Sequence, residues 1–358
     1  MRVEKPPRVK VLIDPSPYVR SGPGKALDGE PKFDLSRLNP DYFDRLRSRV
    51  VAAQDRGIYV MVMLFQGVGV HNHEESAWAG HPYNRANNVN QADGDANGDD
   101  NGRAIHTLTI PAITRFQEAY VRKVVDTLND LDNVLYEIGN ETHESSTDWQ
   151  YHMIDYIHQY ERSKPKQHPV VMTAQSPEDN AVLFKSPAEA ISPGVAGNYK
   201  DDPPAADGSK VIISDTDHLW GTGGDHRWVW KSFLRGINPI FMDPYDGNPA
   251  WESARRNMGY TLRYASRINL RTMAPRPDLA SSRYLLANPG EEYLVYLPSG
   301  PSTVDLSADS RDYSIEWFNP GTGMSLAGGT IAAAGRKQFT APFQGDAVLY
   351  LKAANSAP

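Results

Sequence analysis

The feature that most constrains the fold of this chain is a repeated alternation of short apolar runs with amphipathic segments of helical length. The runs GIYVMVMLF (57–65) and NVLYEIGN (133–140) each follow such a segment, and the second segment reads TIPAITRFQEAYVRKVVDTLNDL. Continuous apolar runs of this length are typical of strands buried on both faces. Strands that alternate with helices indicate βαβ units, and therefore a parallel sheet.

Local signals mark where the first helix begins and ends. Asn39 suits the N-cap, Pro40 suits the first helical position, and Gly57 suits the left-handed position beyond the C-terminus. Further helices are predicted at about 148–162, 226–236 and 250–268. The remaining strand-like runs are HPVVMTAQ (168–175), AISPGVAGN (190–198), KVIISDTDH (210–218) and INPIFMDPYDG (237–247).

Polar side chains follow nearly every predicted strand at its carboxyl end. They are Gln66, Asn140, Glu141, Gln175, Asp215, Asp217, Asp243 and Asp246. A (β/α)₈ barrel keeps its active site at this end of its strands, whereas an open sheet uses the strands beside one crevice. The pattern therefore favours an α/β fold of the TIM-barrel type for residues 1–276.

The character of the sequence changes after Arg276. Short apolar runs such as YLVYL and AVLYL are separated by turns rich in Gly, Pro and Asn, and no helical period lies between them. This pattern predicts a small antiparallel β-sandwich over residues 277–358.

Composition excludes several classes of protein. The net charge of −7 and the lack of a Lys/Arg stripe argue against a nucleic-acid partner. No apolar stretch reaches the ~18 residues of a membrane span. The absence of cysteine excludes disulfides, Cys-ligated zinc and thiol catalysis. The N-terminus lacks the apolar core of a signal peptide.

Two groups of carboxylates end predicted strands. Because side chains alternate along a strand, Glu137 is expected to point into the barrel and Glu141 to stand at its rim, beside Asn140. Asp215 and Asp217 share a face near the end of a later strand. Glycoside hydrolysis requires two carboxylates, one as the proton donor and one as nucleophile or base. A single strand-end acid, by contrast, more often caps a helix or faces solvent.

The string YEIGNE (136–141) resembles the acid/base strand of the clan of cellulase-like TIM-barrel glycoside hydrolases. In that clan the acid/base ends the fourth strand and the nucleophile ends the seventh. The resemblance implies that Glu141 is the acid/base, that Asn140 contacts a sugar hydroxyl, and that Asp215 or Asp217 is the nucleophile of a retaining enzyme. It also implies an oligo- or polysaccharide substrate and a secreted or periplasmic location.

The C-terminal stretch is similar to a small domain called the putative collagen-binding domain of a collagenase, which often follows cellulase-like barrels. The resemblance lies in RYLLANPGEEYLVYLPSG (283–300) and APFQGDAVLYLKA (341–353). Nothing in these residues indicates collagen binding.

The chain departs from the clan in two ways. The clan uses glutamate as nucleophile, whereas this chain offers aspartates. Only 56 residues precede the strand at 57–65, so two further βα units do not fit, although RVKVLID (8–14) is predicted as a strand. The barrel is therefore expected to lack its first strands. The alternative function is a non-catalytic carbohydrate-binding or surface-interaction protein on such a barrel.

Other strand-end residues are assigned to substrate binding. They are Asn140, Glu137, Gln66, His143, His218, Trp220, Asp243 and Tyr245. Trp220 is favoured as a sugar platform, whereas Trp228 and Trp230 are predicted to lie in a helix core. The long polar segment 66–107 is expected to form a substrate-binding rim that carries His71, His73, Trp78, His81, Tyr83 and His106.

A structural calcium site is the one metal site that the sequence suggests. Asp93, Asp95, Asn97 and Asp99 fall at alternate positions of DGDANGDDNG (93–102). The EF-hand pattern fails, because its twelfth position is Ala104 instead of a bidentate Glu. No catalytic metal is expected, since HNHEE (71–75) does not complete H-E-x-x-H.

Overall fold

The structure, a computed structural model, describes residues 16–71, 75–99, 101–307 and 311–354. The chain divides into two compact units, Met1–Ile191 and Ser192–Pro358. The predicted strand RVKVLID (8–14) lies outside the described residues. None of the helices in the described ranges has the length and apolar character that crossing a bilayer requires.

The first unit alternates strands and helices as the sequence predicts. Its elements are β1 (Tyr18–Lys25), β2 (Pro31–Leu38), α1 (Pro40–Gln54), β3 (Val60–Gln66), α2 (Val68–His71), α3 (Glu75–Gly80), α4 (Pro111–Leu128), β4 (Val134–Asn140), α5 (Thr147–Glu161), β5 (Val170–Thr173), α6 (Asn180–Lys185) and β6 (Ala190–Ser192). β3, β4 and β5 are parallel neighbours in that order. The predicted parallel sheet is therefore confirmed.

The helix boundaries follow from the local signals. The side chain of Asn39 accepts a hydrogen bond from the backbone N–H of Asp41 at 3.2 Å, and Pro40 is the first residue of α1. Gly57 has a φ of +68°, a backbone region that other residues adopt only with strain. α4 buries one face through Ile113 and Val124. The predicted caps and apolar faces thus account for these helices.

The hairpin β1–β2 is an element that the sequence did not reveal. It is antiparallel, with register shifts after Tyr18 and between Arg20 and Lys25. Tyr18 and Phe33 join a hydrophobic cluster that also contains Ile113 of α4. The hairpin is thus held by contacts with residues far away in sequence, which local patterns do not encode.

The segment between β3 and α4 is ordered by asparagine side chains. Asn88 is fully buried, and its Nδ2 donates to the carbonyl oxygens of Pro82, Asn84 and Ala92 at 2.9–3.1 Å, while its Oδ1 accepts from the backbone N–H of Ala92. Such bonds satisfy the backbone of an irregular segment in the way that ladder bonds satisfy a strand.

Two aromatic residues of the expected rim are buried. Trp78 and Tyr83 are 3% and 4% exposed and belong to the hydrophobic cluster of the hairpin and α4. Gly94 and Gly102 pack so closely against the indole of Trp78 that a Cβ on either would collide with it. These rings therefore form the core of the segment. His73 lies outside the described residues.

We expect Asn88→Ala to lower the free energy of unfolding by about 2–4 kcal/mol, because several buried backbone groups lose their only partner. Asn97→Ala is the matched control, since the Asn97 side chain is exposed and donates only to Asp99 at 2.7 Å. Urea titration of both variants measures the difference. Equal losses would contradict the role given to Asn88.

The second unit combines two parallel strands, two long helices and antiparallel sheets. Its elements are β7 (Val211–Asp215), α7 (His226–Leu234), β8 (Asn238–Ile240), α8 (Glu252–Ala265), β9 (Ala274–Pro275), β10 (Leu285–Asn288), β11 (Glu292–Leu297), β12 (Ser302–Asp305), β13 (Tyr313–Phe318), β14 (Ser325–Ile331), β15 (Arg336–Phe339) and β16 (Ala347–Ala353). β7 and β8 pair in parallel. The six-stranded sheet has the order β14–β13–β16–β11–β10–β9, and β12 pairs with β15.

Two hydrophobic clusters organise this unit. One contains Leu285, Val295, Val304 and Leu349, from strands of both antiparallel sheets. The other joins Trp230 and Tyr264, of α7 and α8, to Leu286, Leu294, Phe318 and Val348 of the six-stranded sheet. The antiparallel domain and the core position of Trp230 are therefore confirmed.

The domain boundary at residue 276 stays a prediction, because α7 and α8 precede it yet share a core with the sheet that follows it.

Candidate active site

Glu141 lies directly after the carboxyl end of β4 in an unusual backbone conformation. Its φ is +47°, in the left-handed region that non-glycine residues adopt rarely. A residue held there costs on the order of 1–3 kcal/mol, and such residues concentrate at functional sites. The side chain is partly exposed. This conformation turns the chain sharply after Asn140.

Gly67 is the neighbour that fits this turn. Asn140 pairs in register with Gln66, and the backbone N–H of Gly67 donates to the carbonyl oxygen of Asn140 at 2.7 Å. A Cβ on Gly67 would lie 2.6 Å from the carbonyl carbon of Glu141 and 2.7 Å from the Cα of Thr142. Only glycine allows the two backbones to approach this closely.

A buried polar network supports the segment after Glu141. Gln150 donates through Nε2 to the hydroxyls of Thr142 at 3.0 Å and Ser146 at 3.2 Å. Gln175, after β5, donates to Ser146 at 2.9 Å and accepts from the hydroxyl of Thr147 at 2.9 Å. These residues fix the connection between β4 and α5. Sequence reasoning missed all of them except Gln175.

Glu137 is buried within the sheet, four residues before Glu141 on β4. It is 4% exposed, and its Oε1 lies 3.4 Å from the hydroxyl of Thr173 on the adjacent strand β5, which donates to the carbonyl oxygen of Gly139 at 2.8 Å. This position agrees with the expectation that Glu137 points inward. Its assignment to substrate binding stays a prediction.

Gln66 and His143 stand at the ends of neighbouring strands. The exposed side chain of Gln66 accepts a hydrogen bond from the backbone N–H of Val68 at 3.1 Å. His143 accepts the backbone N–H of Ser145 through Nδ1 at 3.2 Å and so caps the short helix Glu144–Ser146. Burial, together with the positive charge of Arg103, lowers the pKa of His143.

Asp215 and Asp217 lie in one turn at the carboxyl end of β7. Asp215 accepts the backbone N–H of Asp217 at 2.9 Å, which caps the short helix Thr216–His218. Burial raises the pKa of Asp215, and the charge of Asp217 raises it further, while His218 opposes the rise. His218 contacts the hydroxyl of Ser192 through Nδ1 at 3.1 Å. The turn thus brings two carboxylates and an imidazole together.

The raised pKa of Asp215 has a consequence for stability. The folded chain holds this proton more tightly than the unfolded chain, so the resulting stabilisation is present below the unfolded pKa of ~3.9 and disappears as the pH rises through the folded pKa. Asp215→Asn keeps a side-chain acceptor for the cap and carries no charge. We therefore expect this variant to melt at a higher temperature at pH 7, with the gain vanishing below about pH 4.

Asp207→Asn is the control with the opposite sign. Hydrogen bonds from the hydroxyl and the backbone of Ser209 lower the pKa of Asp207. The stabilisation of the fold by ionised Asp207 is therefore present above the unfolded pKa and is lost in acid. Replacement of Asp207 by Asn should lower the melting temperature at pH 7. Thermal melts from pH 3 to pH 8 compare both variants, and shifts of the same sign would contradict the assignment.

The three remaining predicted residues have different surroundings. Trp220 is partly exposed, with its ring 5.2 Å from the ammonium of Lys200 and 5.5 Å from the ring of Trp228. Asp243 accepts two hydrogen bonds from Arg255, at 2.5 and 3.0 Å, and Arg255 lowers its pKa. Asp243 therefore acts in an ion pair. Tyr245 is 87% exposed at a φ of +53°.

Within each unit the structure brings predicted residues together. Gln66 and Asn140 are the last residues of the adjacent strands β3 and β4, and Glu141 and His143 follow β4. In the second unit, Asp215 pairs in register with Ile240 of β8, and the hydroxyl of Thr216 accepts the backbone N–H of Met242 at 2.8 Å. The segment that holds Asp243 therefore lies beside the aspartate turn. The roles of all these residues stay predictions.

A cavity of about 360 Å³ lies beside the end of β3, inside the first unit. Residues 63–66 form one wall, and the others come from the hairpin β1–β2, from α1 and α4, and from the segment that follows α3. Gln66 is shared between the cavity and the strand end that holds Glu141. Sequence reasoning missed the cavity, although its expected rim included His81, Tyr83 and His106, which line it.

The calcium site stays a prediction. The acidic loop is stabilised locally, with Asp93 accepting the backbone N–H of Asp95 at 3.1 Å and Asp99 accepting from Asn97 at 2.7 Å. Across the described ranges, no three His, Asp or Glu side chains are grouped so that they could hold a metal ion.

Comparisons with known proteins bear on the fold. Residues 14–191 match the family described as "Domain of unknown function (DUF6298)", and residues 276–352 match "Putative collagen-binding domain of a collagenase". A search of curated proteins found no match.

Three solved structures share the fold over 92–94% of this chain. A protein named "Glycoside hydrolase" is 13% identical, over 94% of its own length, with a TM-score of 0.52. A family 5 glycoside hydrolase from Bacteroides vulgatus ATCC 8482 is 16% identical over 93% of its length, with a TM-score of 0.53. A "putative glycoside hydrolase" from the same organism is 12% identical over 68% of its length, with a TM-score of 0.60.

These likenesses confirm the predicted fold class and the predicted C-terminal domain. At identities of 12–16% they concern the fold and not the reaction. The chain thus has a TIM-barrel-like fold that it shares with glycoside hydrolases, and its C-terminal region matches the collagen-binding domain family.

Proposed function

We propose that this protein is a glycoside hydrolase that cleaves O-glycosidic bonds with two carboxyl groups. The observation that carries the proposal is the position of Glu141. It follows Asn140 at the carboxyl end of a parallel strand, in a strained backbone conformation, within a fold shared with glycoside hydrolases. In barrels of this type, residues at this end of the strands perform the chemistry.

Glu141 is proposed as the acid/base. In the first step its carboxyl proton passes to the glycosidic oxygen while the bond from that oxygen to the anomeric carbon breaks. In the second step the carboxylate takes a proton from the water that attacks the anomeric carbon. Asn140, buried beside Glu141, is proposed to hydrogen-bond a hydroxyl of the sugar.

The second carboxylate is Asp215 or Asp217, and a retaining course is proposed in which it forms a glycosyl ester. A nucleophile must be ionised, and burial of Asp215 favours its protonated form. The backbone N–H of Asp217 and the charge of His218 favour the ionised form of Asp215. Both aspartates remain candidates for this role, as the sequence indicated.

Product analysis of the wild-type protein and of the variants Glu141→Gln, Asp215→Asn and Asp217→Asn tests the proposal. Wild-type protein is screened against aryl glycosides and polysaccharides, and proton NMR identifies the first anomer released. We expect retention, and we expect Asp→Asn at the nucleophile to abolish turnover, with azide restoring part of it as a glycosyl azide. A chain that hydrolyses no glycoside, or whose turnover survives Glu141→Gln, would contradict the proposal.

The second candidate function is a non-catalytic carbohydrate-binding protein. In the part of the chain that the structure describes, β3 pairs with β4 alone, so its other edge carries no strand. A barrel open at this edge can hold a sugar without completing a catalytic site. Saccharide binding without hydrolysis, unchanged in Glu141→Gln, would favour this function.

A further inference from the structure

The described residues that line the cavity beside β3 carry no formal charge. None of them is Asp, Glu, Lys or Arg. Burial lowers the pKa of His81 to about 4 and that of His106 to about 3, so both imidazoles are neutral at neutral pH. Burial also raises the pKa of Tyr18 and Tyr120, which keeps these phenols uncharged. A charged ligand would find no counter-charge here and would lose its hydration, so a neutral ligand fits best.

The tyrosines of the cavity leave hydrogen-bonding capacity unused. The hydroxyls of Tyr42 and Tyr120 lie 3.0 Å apart, and those of Tyr18 and Tyr83 lie 2.6 Å apart. In each pair one hydroxyl donates and the other accepts, so each pair retains a second O–H hydrogen. The hydroxyl of Tyr18 also lies 3.4 Å from the carbonyl oxygen of Phe116. This long contact can use the second hydrogen of the Tyr18–Tyr83 pair, but not that of the Tyr42–Tyr120 pair.

His106 supplies a buried polar group that no described residue satisfies. It is 5% exposed, and its ring packs against the rings of Phe65 at 6.2 Å and Trp149 at 4.7 Å. Within the described ranges, neither ring nitrogen makes a hydrogen bond. A neutral imidazole has one donor and one acceptor, so the ring of His106 offers both to a ligand in the cavity that it lines. A hydroxyl group can satisfy either nitrogen.

His81 adds a donor with a defined tautomer. Its Nδ1 accepts the backbone N–H of Tyr83 at 3.1 Å, so the neutral ring carries its proton on Nε2. The indole of Trp78 stacks on the ring, with centroids 5.5 Å apart, and fixes its orientation.

We propose that this cavity binds one neutral pyranose unit, whose apolar ring faces pack on the aromatic walls and whose hydroxyls bond His106, His81 and the tyrosine pairs. The volume of about 360 Å³ lies at the lower end of the range of about 300–1,000 Å³ for small-molecule sites, which suits one or two rings. Gln66 lines the cavity and pairs with Asn140, so the unit bound here adjoins the strand end that carries Glu141. The choice of a sugar rests on the proposed function.

The test is titration with the methyl β-D-pyranosides of glucose, galactose and xylose, with glucuronic acid and glucosamine as charged comparisons. Calorimetry gives the affinity, and long-range ¹H–¹⁵N spectra follow the imidazole nitrogens of His106, identified by their loss in His106→Leu. We expect a neutral pyranoside to shift the His106 resonances and to bind at least tenfold more weakly to His106→Leu.

The stability of His106→Leu separates binding from folding. Because the imidazole bonds no described residue and the substitution places an apolar side chain against the rings of Phe65 and Trp149, we expect its melting temperature to equal or exceed that of the wild type. His152→Leu is the control, since His152 bonds Glu118 at 2.8 Å and does not line the cavity. Met63→Trp enlarges a side chain that is 42% exposed and lines the cavity, so this variant should also bind the pyranoside more weakly.

Three results would overturn the proposal. The first is that none of the neutral pyranosides binds, and the second is that a charged sugar binds more tightly than they do. The third is that a pyranoside binds without shifting the His106 resonances and with the same affinity to Met63→Trp as to the wild type. The same experiments distinguish failure of the cavity proposal from failure of the proposed enzymatic function. If the chain binds the pyranoside at His106 but hydrolyses no glycoside, the cavity proposal stands and the proposed enzymatic function is wrong. If it hydrolyses glycosides without binding the pyranoside at His106, the enzymatic function stands and the cavity proposal is wrong.

Discussion

Glu141→Gln is expected to lower kcat/KM for glycosides with poor leaving groups by about 10²–10⁴-fold, the usual contribution of a general acid. The amide cannot give a proton to the departing oxygen, so the loss should shrink as the leaving group becomes more acidic. The aglycone of a dinitrophenyl glycoside leaves without protonation. For such substrates kcat/KM for cleavage of the glycosidic bond should therefore fall much less than for alkyl glycosides. Steady-state kinetics on a series of aryl and alkyl glycosides measure the trend.

The control for this prediction is Glu144→Gln. Glu144 lies three residues further along and is exposed in the short helix after the strand end. Its substitution removes the same charge from the same segment, so kcat/KM should stay close to that of the wild type for every leaving group. A loss in Glu141→Gln that is equal for all leaving groups would argue for a binding role in place of proton transfer.

Gly67→Ala is expected to damage both stability and activity, although Gly67 has no side chain to contribute to either. The new methyl group would lie 2.6 Å from the carbonyl carbon of Glu141, and the colliding atoms are backbone that is itself held by β3 and β4. Overpacking of this kind costs about 1–3 kcal/mol. Relief requires the turn at Glu141 to move, and an ångström-scale shift of a catalytic group can cost about 10²-fold in rate.

Gly259→Ala is a matched control with the opposite sign. Gly259 is exposed in α8, with no atom near the position of an added Cβ. Alanine there should stabilise the helix by up to about 1 kcal/mol, because its helix propensity exceeds that of glycine. Urea unfolding and kinetics of both variants separate the effects. A Gly67→Ala protein with wild-type stability and activity would show that the turn adapts freely.

Much of the regular structure could be predicted because its causes are local. The boundaries of α1 follow from Asn39, Pro40 and Gly57, which act through a side-chain cap, a fixed φ and a left-handed φ. The strand end at Asn140 and Glu141 could also be predicted, since the mostly apolar run gives way to consecutive polar residues there. These signals depend only on neighbours within a few positions.

The parts that could not be predicted depend on partners distant in sequence. Tyr83 and Trp78 resemble exposed rim residues, yet the hairpin β1–β2 and α4 cover them. The ion pair of Asp243 could not be predicted either, because its partner Arg255 lies in α8. The importance of Gly67 emerges only when β3 is placed against β4, because its missing side chain matters through the backbone of Glu141.

The sequence by itself determined the alternation of strands and helices that follows the hairpin β1–β2, the presence of an antiparallel C-terminal domain, and the identity of the carboxylates at the strand ends. Periodicity and caps carry that information, since both act within one element. Only the tertiary structure decided which polar groups are satisfied. Burial raises the pKa of Asp215, an ion pair occupies Asp243, and His106 is left beside a neutral cavity without a described partner. Solvation and partners are properties of the packed chain, and the residue type alone does not fix them.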